Sequence, residues 1–431
     1  MVQAIQRIRP GGHRVLGWIV DLAETRRAVV GTKDRETGGP HAPLTLTDAL
    51  TARYKLVWDD GKISRGVMER RAIEGEAEDI LSAARAAAYD DPDGRDVPAP
   101  ASFPDVPMHD DDCARMAEGA IAPFAPRLAA IRDRFVSRGM RTWSGSMQAS
   151  RGRARVIGSS GLDVSSEGTS TSWTLSFDGE NVGAGKLARR LEPQEEFEAR
   201  IDRLIAFVHA LRTPAPARPG GVVPVLLHPD VVEEYVLAVL LHNLDGEQVA
   251  HKTGAFPADR FGASAQVFRA DLSLRNDPLV PMAVGAYRFT REGVPAAPTT
   301  LVDGGRLVTP LLNLKYARRL RLRPNAGPAA MDTLHFGGPS PISDEAALAA
   351  AAGGVLVLSV LGVHTQDFSS GDFSLSAPQS LAIGAAGIEG RLRGTISGNV
   401  FEQLRADELA FVRFPGETTP GLLLRCRFDP S

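Results

Sequence analysis

The sequence predicts an α+β protein: an N-terminal α/β portion followed by a mostly antiparallel β C-terminal domain. Three observations carry that expectation. A chain of 431 residues exceeds what one hydrophobic core serves, and 43% hydrophobic with 23% charged residues is a globular balance, so two or three domains are expected. The 43 glycines and 30 prolines call for many turns and disfavour a helical bundle. Helical periodicity is confined to a few stretches, and beyond residue 245 short apolar runs separated by turn residues dominate.

Two shifts in composition divide the chain. Residues 90–112 are dense in Asp and Pro, and residues 213–221 read TPAPARPGG. The expected units are a divergent N-terminal α/β domain over 1–105, a central α/β domain over 106–217 and a C-terminal domain over 218–431. In the first, Lys55-Leu56-Val57-Trp58 followed by Asp59-Asp60-Gly61 predicts a strand and a hairpin turn, and the Ala-rich stretch 76–89 a helix. The polar segment 32–46, with Gly and Pro, is expected to be a flexible loop. In the second, 114–138 is helix-like and 154–177 reads as strands turning at Gly161 and Gly168, with another turn at Asp178-Gly179. The unit closes on a helix whose Phe197, Ile201, Leu204, Ile205, Val208 and Leu211 recur mostly three and four apart, one buried face. The third opens with a strand at 222–227 and a helix at 230–244. That helix is signed by Pro229, by Asp230, Glu233 and Glu234 against its positive end, and by Gly246 beyond it. Asp303-Gly304-Gly305 is the clearest hairpin turn after it. The most apolar run, 347–363, is broken by Gly353-Gly354, Ser359 and Gly362 and reads as a helix end and a buried strand, too interrupted for a membrane span.

Charge and cysteine content exclude several functions. Lys plus Arg number 49 against 52 Asp plus Glu, a net charge of −3, so no positive field is available for a phosphate backbone and nucleic-acid binding is not expected. Mean hydropathy of −0.10 and an N-terminus without a secretory apolar region point to a protein of neither membrane nor export, and two cysteines, Cys113 and Cys426, fit the reducing cytoplasm. Phosphate-loop chemistry fails on spacing: in residues 179–186, GENVGAGK, Glu180 stands where the first Gly of such a loop is needed and Leu187 where a magnesium-binding hydroxyl is needed. Gly183 to Ala188 mimics a dinucleotide fingerprint but follows a hairpin arm. Gly158-Ser159-Ser160-Gly161 reads as a turn, not a nucleophile elbow. The nearest metal-like grouping is His228, His242 and His251 with Asp245 and Glu247, although His242 also suits the negative end of its helix. Cys426, beside an apolar strand, is expected to be a buried, inert thiol.

A more specific signal runs through the C-terminal half. Gly254-Ala255-Phe256 with Arg260-Phe261-Gly262, Asn276-Asp277-Pro278, and Phe289-Thr290-Arg291-Glu292-Gly293-Val294-Pro295 occur in that order. They are followed by the 300–307 hairpin with Tyr316-Ala317-Arg318, then Gly371-Asp372-Phe373-Ser374 and Thr395-Ile396-Ser397-Gly398-Asn399. This series resembles the TldD/PmbA metallopeptidase family over about half the chain, and more weakly in the middle piece through Ser159-Ser160-Gly161. The catalytic members of that family carry H-E-x-x-x-H on the helix after the strand, with zinc polarising a water and Glu as base. Aligning His242-Asn243-Leu244-Asp245-Gly246-Glu247 with the family pattern puts Leu237 at the first His and Ala238 at the Glu. The family's thiol ligand would fall in 361–371, which holds no Cys. The resemblance is therefore to the TldE (PmbA) type.

That resemblance implies a subunit without its own zinc, catalytic residue or cofactor, pairing with a TldD-like, metal-bearing paralogue to act on unfolded or short peptides held as an added strand. A homo-oligomer is the other assembly left open. The peptide-groove candidates are Glu292, Gly293, Gly371, Asp372 and His364, with turn geometry an equal explanation of the glycines. Two other readings stay open: an active metallohydrolase with a non-family metal site around His242, recruiting His228 and Glu247 or Asp245, and a stand-alone peptide-binding scaffold.

Overall fold

A computed structural model describes the chain except for residues 1–6, 34–35, 38–42, 74–76, 141–142, 178–181, 326 and 339. The N-terminal half is built on one antiparallel sheet. Its strands are β1 (Val15–Lys33), β2 (Glu36–Thr37), β3 (Thr45–Trp58), β4 (Ile63–Glu69), β5 (Ser144–Gly158), β6 (Asp163–Phe177) and β7 (Val182–Ala188), in the order β4-β3-β1-β5-β6-β7 with β2 on β1. The hairpin at Asp59-Asp60-Gly61 is present: Val57 pairs with Ile63, and Gly61 takes a φ of 80° that an L side chain resists. The long pairing of β1 with β5 joins strands of the 1–105 and 106–217 pieces in one sheet. The Asp/Pro-rich stretch between those pieces is a strap tied to that sheet: Lys55 Nζ donates to the Asp96 carbonyl and Ser160 Oγ to that of Pro98.

Several local expectations need correction. Gly168 does not turn the chain, because β6 runs straight through it. Its missing side chain makes room for Arg189, whose Nη1 would lie 2.8 Å from a Cβ there. The 114–138 helix is two, Asp111–Ala117 and Ala125–Ser137, parted at Gly119, whose φ is 105°, and Pro123. The 32–46 segment is not all loop: Thr32 and Lys33 end β1, Glu36–Thr37 is a strand and Thr45 opens β3, while 34–35 and 38–42 lie outside the described residues. The helix ends at Leu244 with Gly246 beyond it as expected, but Gly246 at once begins another, Gly246–His251, because Asp245 accepts from the Glu247 N–H as its N-cap. The Asp178-Gly179 turn lies outside the described residues.

The C-terminal half contains two sheets. Strands β9 (Ser273–Asn276), β10 (Thr299–Asp303), β11 (Arg306–Leu307) and β12 (Leu334–Gly337) form a small antiparallel sheet, with Gly304 and Gly305 both at positive φ in the β10–β11 turn. The larger sheet holds β8 (Gly221–Leu227), β13 (Ile342–Ser343), β14 (Val355–Leu361), β15 (Asp372–Gly384), β16 (Gly387–Arg391), β17 (Gly394–Asn399), β18 (Ala410–Arg413) and β19 (Gly421–Pro430). Pairings β8–β14, β14–β15, β15–β17, β17–β19 and β19–β8 close it into a ring, which removes the edges of those strands. Alternation along β8 and β19 then sorts side chains to two faces. Val225, Leu227, Leu422 and Leu424 join a core with the helical stretch 229–244, whereas Leu226 and Leu356 join the core of helix Gln194–Arg212. That helix buries all six of its periodic apolar residues, and its core also takes in Met147, Trp173 and Leu175 of the N-terminal sheet. The 347–363 run is a helix, Asp344–Ala350, followed by β14. No helix among the described residues is long and apolar enough to cross a membrane.

Candidate functional site

Residues 229–244 form a helical stretch of three consecutive parts: Pro229–Val231, a π segment Val232–Leu237, and Ala238–Leu244. Wider π turns inside α-helices are uncommon and recur at functional positions. Leu237 is fully buried in the C-terminal core, and Ala238 is only partly exposed. At about 100° per residue, positions 237 and 242 stand about 140° apart around the helix, so the side chain facing outward is His242 and the one facing the core is Leu237. The His242 ring meets the edge of Phe368 at 5.8 Å, and its Nε2 lies 3.5 Å from Ser369 Oγ.

The neighbouring Asn243 fixes this geometry. Completely buried, it donates from Nδ2 to the Val239 carbonyl at 2.9 Å and the Phe368 carbonyl at 2.7 Å, and its Oδ1 accepts from the Ala255 N–H at 2.6 Å. One side chain thereby ties the helix to the loop before β15 and to the Gly254-Ala255-Phe256 segment. Tyr235 adds a second tie, donating to the Asp372 carbonyl at 3.2 Å with its ring edge-on to Phe368 and Phe373; burial pushes its phenol well above the ordinary range.

The predicted groove residues fall in two places. Asp372 begins β15 opposite Asn399, whose Nδ2 donates to Asp372 Oδ1 at 2.8 Å while its Oδ1 caps the turn Val400–Gln403. Gly371 sits at φ 74°, where a Cβ would come within 2.7 Å of the Phe401 ring. The Gly-Asp-Phe-Ser and Thr-Ile-Ser-Gly-Asn segments thus interlock as neighbouring strands. His364 is exposed in a single 3-10 turn, Val363–Thr365, of the same loop. Glu292 shares a cavity wall with Leu241 and Asp245 at the helix end, and Gly293 follows it in the same turn. Gly293, at φ 76°, abuts Leu162 and Pro98, so this turn packs against the N-terminal sheet and its strap, and Glu292 Oε2 accepts from the Leu314 N–H at 2.8 Å at the start of helix Leu314–Leu320.

Beside Glu292 opens a cavity of about 760 Å³, a size usual for small-molecule and peptide sites. Its walls include Leu241 and Asp245 from the helix end, Tyr287 and Phe289 from the segment before the Glu-Gly turn, and Leu311 and Tyr316 opposite. Tyr287 donates to the Gly327 carbonyl, and burial raises its phenol out of the ordinary range; Tyr316 is pushed up to about 12 by burial and by the Glu247 carboxylate. Sequence reasoning had Glu292 and Asp245 in view but missed Tyr287, Leu311 and Asn325. These come from stretches with no motif of their own, and only Tyr287, just before the Phe289–Pro295 segment, had a signal in its position.

The three histidines considered as a metal site do not converge. His228 Nδ1 accepts from the Asp230 N–H, and its ring is wedged between Phe207 and Phe414; His251 lies against Tyr316 and Arg319. A zinc centre does not fit the aligned position either, since a buried Leu237 and an Ala238 offer no donor atom beside His242. Among the described residues, the group of three ligand-type side chains within mutual reach is His13, Asp59 and Asp60, at the first hairpin. There Asp60 is clamped by both Arg85 guanidinium nitrogens, which hold its carboxyl down at about 2, and Asp59 accepts from the Arg14 N–H.

Residues 220–412 match the profile of the PmbA/TldA metallopeptidase C-terminal domain. Among solved structures, TldE from Thermococcus kodakarensis superposes with a TM-score of 0.74 at 16% identity, covering 96% of each chain. A candidate modulator of DNA gyrase from Bacteroides thetaiotaomicron reaches 0.77 at 16% identity, over 97% of this chain and 95% of that one. Another such candidate, from Thermotoga maritima, reaches 0.74 at 17%, over 99% and 98%. Identities this low establish a shared fold. No curated protein sequence matches the chain. The profile match thus identifies residues 220–412 as a domain of the PmbA/TldA metallopeptidase C-terminal type, within a fold that these structures share over nearly the whole chain.

Proposed function

We propose that this chain is a TldE-type subunit: the zinc-free partner of a TldD-like metallopeptidase in the cytoplasm, acting with it on unfolded or short peptides. The observation that carries the reading is the pair Leu237 and Ala238. Where catalytic relatives are expected to place an imidazole and a general base, this helix presents a core leucine and a methyl group. A single imidazole, His242, cannot hold a catalytic zinc or take the proton of its water. The family-like segments serve two ends: one ties the helix to the β14–β15 loop, and the other sets the Glu292 turn beside the helix end on the wall of the cavity. Such a frame can orient a peptide by backbone hydrogen bonds while another subunit cleaves it.

The test is reconstitution. The purified chain alone is expected to carry no stoichiometric zinc and no peptidase activity, and to gain activity when mixed with an H-E-x-x-x-H-bearing paralogue from the same genome. Zinc and activity in the isolated chain, both lost in His242→Ala, would reverse the assignment and favour a hydrolase with its own metal site.

A further inference from the structure

The cavity beside Glu292 has an unbalanced charge, and that imbalance specifies what it holds. Two carboxylates line it, Asp245 and Glu292. Each spends one oxygen on a helix start: Asp245 Oδ1 accepts from the Glu247 N–H, and Glu292 Oε2 from the Leu314 N–H. Their second oxygens have no protein donor or ion pair among the described residues.

Of the nearby cations, one shares the wall and the others are engaged elsewhere. Arg291 also lies on the wall, so the lining carries two negative charges against one positive. Lys55 feels Glu292, but it is buried, donates to the Asp96 carbonyl, and has its ammonium disfavoured chiefly by that burial. Lys315 pairs with Asp91 at 2.9 Å and Arg318 with Asp96. The remaining wall is mostly apolar or aromatic, with Thr290, Asn313 and Asn325 as its uncharged polar members and Tyr287, Phe289 and Tyr316 as rings that favour a cation and the alkyl chain beside it.

We propose that this cavity binds a peptide through a positively charged group, an N-terminal ammonium or a basic side chain, set between Asp245 and Glu292 with an apolar residue against the tyrosines. This deepens the peptide-handling reading above and rests on it. A cation supplies the donors that both carboxylates lack, and in a partly enclosed site such a pair is worth more than on an open surface. The same excess of negative charge disfavours an acidic peptide.

The test uses the full chain and four short peptides of one Leu/Ala sequence with amidated C-termini, binding being measured by calorimetry. One has a free N-terminus, one is acetylated, one is acetylated with a Lys added, and one is acetylated with a Glu added. Asp245→Asn and Glu292→Gln are the informative variants, since each amide keeps the oxygen that caps its helix and loses only the charge. The expected result is binding of the free-amine or the Lys peptide about tenfold or more tighter than that of the neutral one, weakest binding of the Glu peptide, and collapse of these differences in the double variant. Preference for the free amine over Lys assigns the site to a peptide N-terminus; the reverse assigns it to a basic side chain. Equal binding of all four peptides, or retention of the charge preference in the double variant, overturns the proposal while leaving peptide binding intact. Absence of binding by every peptide overturns it together with the peptide-handling reading.

Discussion

Replacing Asn243 tests whether the site helix is held as described. The side chain is fully buried and makes three hydrogen bonds, of which those to the Phe368 carbonyl and from the Ala255 N–H join separate segments to the helix. At about 1 kcal/mol net per bond, Asn243→Ala is expected to cost about 3 kcal/mol locally. Asn243→Asp keeps the acceptor for Ala255 but turns a carboxylate oxygen toward two carbonyls in a buried site, so it is expected to cost more than the alanine. The four tryptophans, Trp18, Trp58, Trp143 and Trp173, all belong to the N-terminal half, so their fluorescence watches the wrong region. The suitable assay is hydrogen exchange by mass spectrometry on peptides covering 238–256 and 362–372. A loss of about 3 kcal/mol accelerates exchange there about a hundredfold, with the N-terminal sheet unchanged. Exchange within about threefold of the parent, or an aspartate milder than the alanine, would refute the claim that Asn243 is the clamp.

Burial pushes both thiols, Cys113 and Cys426, up to about 12, so a thiol reagent at pH 8 should label neither in the folded chain and both after denaturation; labelling of the native protein would contradict this. Gly293→Ala places a side chain at φ 76° and within 2.4 Å of Leu162, so it should destabilise by at least about 1–2 kcal/mol, with part of the loss recovered when Leu162→Ala is added; an additive pair would show the contact to be slack. Glu233 has its carboxyl raised, mainly by burial, with Thr419 donating to it. The folded state then holds its proton to higher pH than the unfolded chain, so this group's contribution to stability falls as pH rises above the ordinary glutamate value of about 4.3. Glu233→Gln should therefore raise the melting temperature at pH 7, with the gain vanishing near pH 3.5; an equal gain at both would refute the sign.

The elements legible in the sequence were those whose signal is local. The six apolar residues of Gln194–Arg212 all face one core, and Asp-Gly-Gly at 303–305 turns as its glycines require. Strand β1 was overlooked because Asp21, Glu24, Arg26 and Arg27 interrupt its apolar residues. In the sheet several of these charges are answered across strands, Arg26 by Asp48 and Asp21 by Arg53, which no local pattern announces. The ring depends on β8 meeting β19, about two hundred residues later, and neither strand marks its partner. At the site, that Leu237 and Ala238 offer no donor atom beside His242 was readable from the sequence itself. The cavity was not, since its wall is gathered from helix end, turn and loop by the tertiary fold alone.

The central claim, that this chain lends a frame to chemistry performed by another subunit, is tested most directly by metal analysis joined to reconstitution. Zinc content and peptidase activity are measured for this chain, for its H-E-x-x-x-H-bearing paralogue and for their mixture. The account predicts zinc in the paralogue and not in this chain, with activity in the mixture well above the sum of the two. Stoichiometric zinc and full activity in this chain alone, removed by His242→Ala, would contradict it.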